Sequence, residues 1–230
     1  FPINELGSKF DHPPAKQPFH RQVARTIFWL RSRFPGIDVL LSKLDVDSAF
    51  QNIPVADDDV CEFATRLPGD SLGVEGDVIA LYLVLSFGWV GSPGEYQVWG
   101  TAMQQYFQAH GPENPLWNGA HPFANLVLVD DHIHIEVDLG VRKSMSFRLG
   151  VESIRLFLGQ DAVNLAKLGE EGEWTLEKIC WGLLHTWEGG GNSTCSSRGP
   201  CPCLFSALTS CGVVTFDRCL AASTSFFLAC

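Results

Sequence analysis

The chain is expected to fold as an α+β protein, with helices standing behind a small antiparallel sheet. Three observations lead there. Its 230 residues, 46% hydrophobic and 18% charged, suffice for one sizeable core or one core plus an appendage. Strand-like, helix-like and hairpin-like segments alternate along it without an internal repeat. Two strand-like runs also end at carboxylates: Leu44-Asp45-Val46-Asp47, and Ala124 to Val129 closing on Asp130-Asp131.

Residues 1–19 are Pro-rich, and Pro13, Pro14 and Pro18 predict an irregular segment. From His20 to Phe34, apolar Val23, Ile27, Phe28, Leu30 and Phe34 mix with Arg21, Arg25, Arg31 and Arg33, the pattern of an amphipathic helix that Pro35-Gly36 ends. Val39 to Val46 reads as a strand ending at the first carboxylate, and Ser48 to Pro54 turns away from it. Cys61 to Arg66 and Val78 to Leu85 read as a hairpin across a Gly/Asp loop. After the tight loop Gly88 to Gly94, Tyr96, Val98, Trp99, Met103, Tyr106 and Phe107 fall near helical spacing and predict a helix from Glu95 to His110. Residues 111–123 read as a loop. Leu126–Val129 and His132–Val137 flank the second acidic spot and predict a β-hairpin with Asp130 and Asp131 at its tip. A helix over Val141–Leu158 and a last short strand over Lys178–Leu184 complete the body.

A buried carboxylate without a cation is costly, so acids placed directly after strands ask for positive charge. Divalent ions would supply it: oxygen-rich clusters hold Mg²⁺, and a two-metal site clamps the attacking and leaving oxygens of an in-line phosphoryl displacement. The plainer account is that Asp-Asp after a strand makes a turn. A net charge of −10 argues against a large nucleic-acid footprint, because phosphate binding draws on Lys and Arg. The first forty-three residues run the other way, with Lys9, Lys16, Arg21, Arg25, Arg31, Arg33 and Lys43 against Glu5, Asp11 and Asp38. No run of eighteen uncharged apolar residues predicts a membrane span, and no membrane partner is expected. The start, Phe1-Pro2-Ile3-Asn4-Glu5, has neither an initiator Met nor a basic-then-apolar leader, so no signal peptide is expected and the chain reads as a piece of something longer. Cys61 and Cys180, alone in the body, are expected to be buried thiols.

Three segments, in order, resemble the palm of a reverse transcriptase, particularly those of retrotransposons. Leu44-Asp45-Val46-Asp47-Ser48-Ala49-Phe50-Gln51-Asn52-Ile53-Pro54 is similar to the first palm motif, an Asp followed five residues on by an aromatic. Leu85-Ser86-Phe87-Gly88-Trp89-Val90-Gly91-Ser92-Pro93 is similar to the second, and Leu128-Val129-Asp130-Asp131 to the third, with Leu128 where Tyr or Phe is usual. The wording of the segments suggests the tyrosine-recombinase or a related class of eukaryotic retroelements. The resemblance covers about residues 20–187 and extends loosely to Ala162–Lys167, the region of a palm lysine, and to Ile179–Leu183, the primer grip.

The resemblance implies a palm with part of the fingers and RNA-directed DNA synthesis from deoxynucleoside triphosphates on an RNA or DNA template-primer. Two Mg²⁺ or Mn²⁺ ions would be held by Asp45, Asp130 and Asp131 with the Val46 carbonyl. Phe50 would pack under the sugar of the incoming nucleotide and exclude a 2′-hydroxyl, Phe87 and Gly88 would line the nucleotide and template pocket, and Lys167 would protonate pyrophosphate. Their plain counterparts are a core aromatic, a structural turn and an exposed helix-end lysine. The alternative from another class is a catalytically inactive retroelement remnant that acts at most as a nucleic-acid or protein binding module. An intracellular setting is expected, and the oligomeric state is left open.

Two features compete with the palm. Asp130, His132, His134 and Glu136 alternate along one strand and share a face that could bind Zn²⁺. The other account is that His132 and His134 fill aliphatic positions, at a cost to packing. After Trp187, residues 188–230 form a Cys/Gly/Ser-rich tail without helical or strand periodicity, expected to be disordered. Its Cys195, Cys201, Cys203, Cys211 and Cys219 lack zinc-finger spacing, and frame-shifted or otherwise unselected sequence is the preferred account.

Overall fold

The computed structural model describes residues 3–111 and 123–186. The expected tail over 188–230 and most of the loop over 111–123 lie outside them. The architecture is α+β, with small antiparallel sheets and five helices among the described residues: α1 (Ile3–Leu6), α2 (His20–Arg33), α3 (Ser92–Ala109), α4 (Arg142–Leu158) and α5 (Leu165–Glu171). The strands are β1 (Val39–Asp45), β2 (Ala64–Pro68), β3 (Asp77–Leu81), β4 (Ala124–Leu128), β5 (Asp131–Val137), β6 (Glu177–Cys180) and β7 (Leu183–Thr186).

The central sheet has the order β1-β5-β4 and is antiparallel throughout. Because side chains alternate across a strand, β1 and β5 divide their residues between two layers. Val39, Leu41, Ile133, Ile135 and Val137 form a core with Val23, Ile27 and Leu30 of α2. Leu44, on the opposite face, packs with Tyr96 and Met103 of α3 and Ile154 of α4. Apolar residues at 23, 27 and 30 are what a helix needs to lay one stripe on a sheet. A one-residue slip of β1 would bury Asp45 in the α3/α4 core, so the two apolar layers hold the register.

The approach of α4 to the sheet depends on a glycine. A Cβ on Gly150 would stand 2.5 Å from Cε1 of His134 and 2.7 Å from Cδ1 of Leu44, both fully buried. Gly150→Ala is expected to lower the urea midpoint by the equivalent of about 1–3 kcal/mol, the usual cost of overpacking. An unchanged midpoint would mean that α4 can shift outward freely.

Helices α2, α3 and α4 and the β4–β5 hairpin stand close to where the sequence puts them. Elsewhere the structure differs. The last strand is two: residues 177–186 form the β6–β7 hairpin, turned at Trp181 (φ 52°) and Gly182 (φ 78°). Two consecutive positive φ values are the signature of a tight hairpin turn, and a tryptophan at the first of them conceals it. Helix α1 forms within the segment expected to be irregular, since nothing between Ile3 and Leu6 forbids one turn. Helix α3 starts at Ser92, with Pro93 in the first turn where its missing N–H costs nothing. Helix α5 occupies a stretch with no assigned element. Cys180 is buried as expected, but Cys61 is exposed, because residues 60–63 form a 3₁₀ turn ahead of β2 instead of part of the strand.

Candidate metal centre and nucleotide site

Asp45 is the last residue of β1 and Asp131 the first of β5, and the two are direct cross-strand partners. The turn between β4 and β5 is formed by Val129 and Asp130, and Val129 adopts φ 50°. A β-branched residue in the left-handed region costs about 1–2 kcal/mol. The Asp130 carbonyl accepts from the Val46 N–H at 2.8 Å, which ties this turn to the end of β1.

Carboxylate oxygens of Asp45, Asp131 and Glu171 all lie within 4.8 Å of one another. Among the described residues this is the one group of three side chains able to share an ion. Two ammonium groups balance it. Lys43 Nζ is 3.0 Å from Asp131 Oδ1 and 3.0 Å from Glu171 Oε2, and Lys167 Nζ donates to Asp45 Oδ2 at 2.7 Å. Asn164 Nδ2 donates to the other Asp45 oxygen at 2.8 Å. Burial opposes the charge on Lys43, but Asp131 and Glu171 outweigh it and hold its pKa above the ordinary value. The hydrogen bond to Asp45 does the same for Lys167. Burial and then the Asp131 carboxylate push Asp130 above the usual carboxylate range, with Asp45 adding to the effect. No family model matches this chain, and no curated protein matches it.

The donor set fits a hard divalent ion. It is made of carboxylate oxygens, the ligands that Mg²⁺ and Mn²⁺ take, and two ammonium groups already stand among them. Asp45 is bonded at both oxygens, so an ion would enter as Lys167 withdraws; that lysine is exposed enough to do so.

The remaining candidate residues lie in α5, in the α3/α4 core and in the loop before α3. Lys167 lies in α5 and reaches the cluster directly. Phe50 is buried in the α3/α4 core, edge-on to Phe87 with ring centroids 5.0 Å apart and to Tyr96 at 5.7 Å. Phe87 is exposed. Gly88 has φ 91° and open space where a Cβ would stand, so its glycine answers to backbone conformation and not to a close approach within the chain. Asn4 holds this loop on both sides: its Nδ2 donates to the Gly88 carbonyl at 2.7 Å, and the Val90 N–H donates to its Oδ1 at 2.8 Å.

The histidine face is a core surface. His132 and His134 are buried, none of their ring nitrogens has a hydrogen-bond partner among the described residues, and His134 packs edge-on against Phe107 with centroids 4.8 Å apart. Glu136 is taken by Arg142, and Asp130 lies in the turn outside the strand.

Sequence reasoning missed Glu171, Asn164 and Tyr96. The Tyr96 hydroxyl is buried without a partner among the described residues, and its pKa is pushed up by burial and then by Asp130 and Asp45, so it stays a neutral phenol beside the acids. Asn164 carried a local signal: it caps α5, its Oδ1 accepting from the Lys167 N–H, and Asn is a preferred residue at that position. Nothing local marks Glu171 or Tyr96.

Proposed function

We propose that this chain is the palm of a reverse-transcriptase-type RNA-directed DNA polymerase, spanning about residues 20–187, with the β2–β3 hairpin as part of the fingers. The observation that carries the reading is the pairing of Asp45 with Asp131 across β1 and β5, with Asp130 on the adjoining turn. Three acids of the three-motif resemblance thus come from segments 85 residues apart to one end of one sheet.

Asp45, Asp130, Asp131 and the Val46 carbonyl would hold two Mg²⁺ or Mn²⁺ ions, with Glu171 adjacent. When bound, such ions lower the pKa of a primer 3′-hydroxyl and neutralise charge on the leaving pyrophosphate. The protein positions the partners. Phe50, braced by Phe87 and Tyr96, is the steric check on a 2′-hydroxyl and favours deoxynucleotides. Phe87 and Gly88 line the nucleotide and template pocket. Lys167, once withdrawn from Asp45 to admit an ion, would hold a proton at Nζ for pyrophosphate.

Primer extension of oligo-dT on poly-rA with Mg²⁺ or Mn²⁺ tests this. The parent is expected to incorporate dTTP and the Asp130→Asn, Asp131→Asn variant to lose at least about a hundredfold, the scale of removing a preorganised electrostatic stabiliser. A second reading, an inactive remnant serving as a binding module, draws on the two lysines that already satisfy the carboxylates. A folded parent with no extension in either ion decides for it.

A further inference from the structure

We propose that Asn4 is a positioning residue that clamps the loop at Phe87 and Gly88 from outside, and so sets the wall against which Phe50 meets a nucleotide sugar. The role in nucleotide choice rests on the polymerase reading; the clamp itself does not. Burial does little to fix this loop. Phe87 is 68% exposed, and Gly88, at φ 91° with open space where a Cβ would stand, has the conformational freedom that makes glycine costly to order. Among the described residues no backbone–backbone hydrogen bond reaches Phe87, Gly88 or Val90. Their restraint comes from one side chain 84 residues before Gly88. Asn4 Nδ2 donates to the Gly88 carbonyl at 2.7 Å, and its Oδ1 accepts from the Val90 N–H at 2.8 Å. A single carboxamide, donor and acceptor together, serves the loop as a paired strand would.

Asn4 can do this because its own segment is anchored. His12 Nδ1 lies 3.0 Å from Glu95 Oε1 in the first turn of α3, and the His12 ring stands edge-on to Trp89 with centroids 4.8 Å apart. Trp89 in turn stands edge-on to Phe63, just ahead of β2, at 4.9 Å. The fit is close: a Cβ on Gly91 would come within 2.6 Å of the Trp89 ring and 2.9 Å of His12 Cε1, and one on Gly94 would run into the Pro13 carbonyl. On its other flank the loop is tied to α3 by the Ser92 hydroxyl, which donates to the Ser86 carbonyl at 2.7 Å. Pinned at 86, 88 and 90, the loop projects Phe87, whose ring meets Phe50 edge-on at 5.0 Å. Loss of the Asn4 bonds therefore reaches Phe50 through Phe87, without touching the carboxylates.

Residue-resolved amide exchange by NMR and primer-extension kinetics, both on the full chain, test this together. In Asn4→Ala the Val90 amide is expected to exchange about two- to tenfold faster, the scale of one lost hydrogen bond, while the β1 and β5 amides keep the parent rates. Asn4→Asp, which keeps an acceptor for Val90 but has no N–H for Gly88, should restore protection at Val90. In kinetics, Asn4→Ala should raise KM for dTTP about five- to thirtyfold with kcat nearly unchanged, because the loop is less often in its binding position. The preference for dTTP over rUTP should fall as the wall yields. A merely less stable fold would instead lower kcat for both nucleotides alike and loosen β1 and β5. The proposal is overturned by unchanged exchange at Val90, by an Asp variant as unprotected there as the Ala variant, by loss of protection that spreads to β1 and β5, or by faster exchange at Val90 with KM and nucleotide preference as in the parent. A chain that loses Val90 protection in Asn4→Ala yet extends no primer keeps the clamp and loses the polymerase reading. One that extends primers with Val90 exchange unchanged loses only the clamp.

Discussion

Lowering the pH from 7 to 5 will cost the folded chain about 4 kcal/mol through His132 and His134 alone, if both titrate near pH 6.5 when unfolded. Burial holds His132 down to about 4 and His134 to about 3, the charge of His132 lowering His134 further and Asp45 working the other way on His132. Both rings are neutral when folded, so their contribution is fully present above pH 6.5. It falls as the unfolded chain takes up protons below that value, and the loss continues until the folded state itself protonates near pH 4 and 3. His185, lowered to about 4 by burial and by His20, acts in the same direction. The cost is a large fraction of a typical stability of about 5–15 kcal/mol.

Urea unfolding at both pH values, with EDTA to remove metal, measures it. His132→Leu with His134→Leu should remove most of the pH dependence and raise stability at pH 7, because four buried ring nitrogens without partners among the described residues disappear. A parent with equal stability at pH 5 and 7 would show that these rings reach water or a partner.

Breaking the ion pair between Glu136 and Arg142 by removing the arginine is expected to cost about 3–5 kcal/mol, because Glu136 is left as a buried charge without its cation. Arg142 Nε donates to Glu136 Oε1 at 2.7 Å and its NH2 group to Oε2 at 3.0 Å. The Val137 N–H also donates to Oε1, at 2.9 Å, and the guanidinium lies 4.9 Å from the Phe123 ring centroid. Glu136 is 1% exposed and Arg142 8%. The pair joins the end of β5 to the first residue of α4, and so braces the helix that packs on the histidines. Arg142→Met alone should lower the melting temperature by about 10 °C in a chain of this size. Glu136→Leu with Arg142→Met should recover most of the loss, since two apolar groups leave no charge unpaired. A double variant as unstable as the single one would show that the pair's geometry, and not its charge balance, holds α4.

Local chemistry made much of the fold legible. Helix α2 is announced by Val23, Ile27 and Leu30 against its arginines and stopped by Pro35-Gly36; α3 opens beside Pro93; the β4–β5 hairpin is marked by two apolar runs around paired acids. These signals are periodicities of one helix or strand and the φ demands of single residues, which do not wait for distant contacts. The β6–β7 turn escaped because a tryptophan adopts a conformation usual for glycine or asparagine. Exposure of Cys61 escaped because burial depends on which neighbours cover a turn. Asp45, Asp130, Asp131 and Lys167 were marked in the sequence by resemblance, as separate words in the right order.

Only the tertiary structure decided what these words are next to. The register that opposes Asp45 to Asp131 follows from two apolar layers packing on opposite faces of β1 and β5, a choice that α2, α3 and α4 make together. Lys43 shares a strand face with Asp45, but Glu171 and Asn164 join the acids because α5 packs against β1, and no spacing along the chain encodes that proximity. The same packing turns His132 and His134 from a plausible zinc face into core. By itself the sequence determined the larger elements and the order of the acids; the closing of helices on both faces of one sheet decided which charges meet, because charge neutralisation acts through space and burial is shared among distant segments.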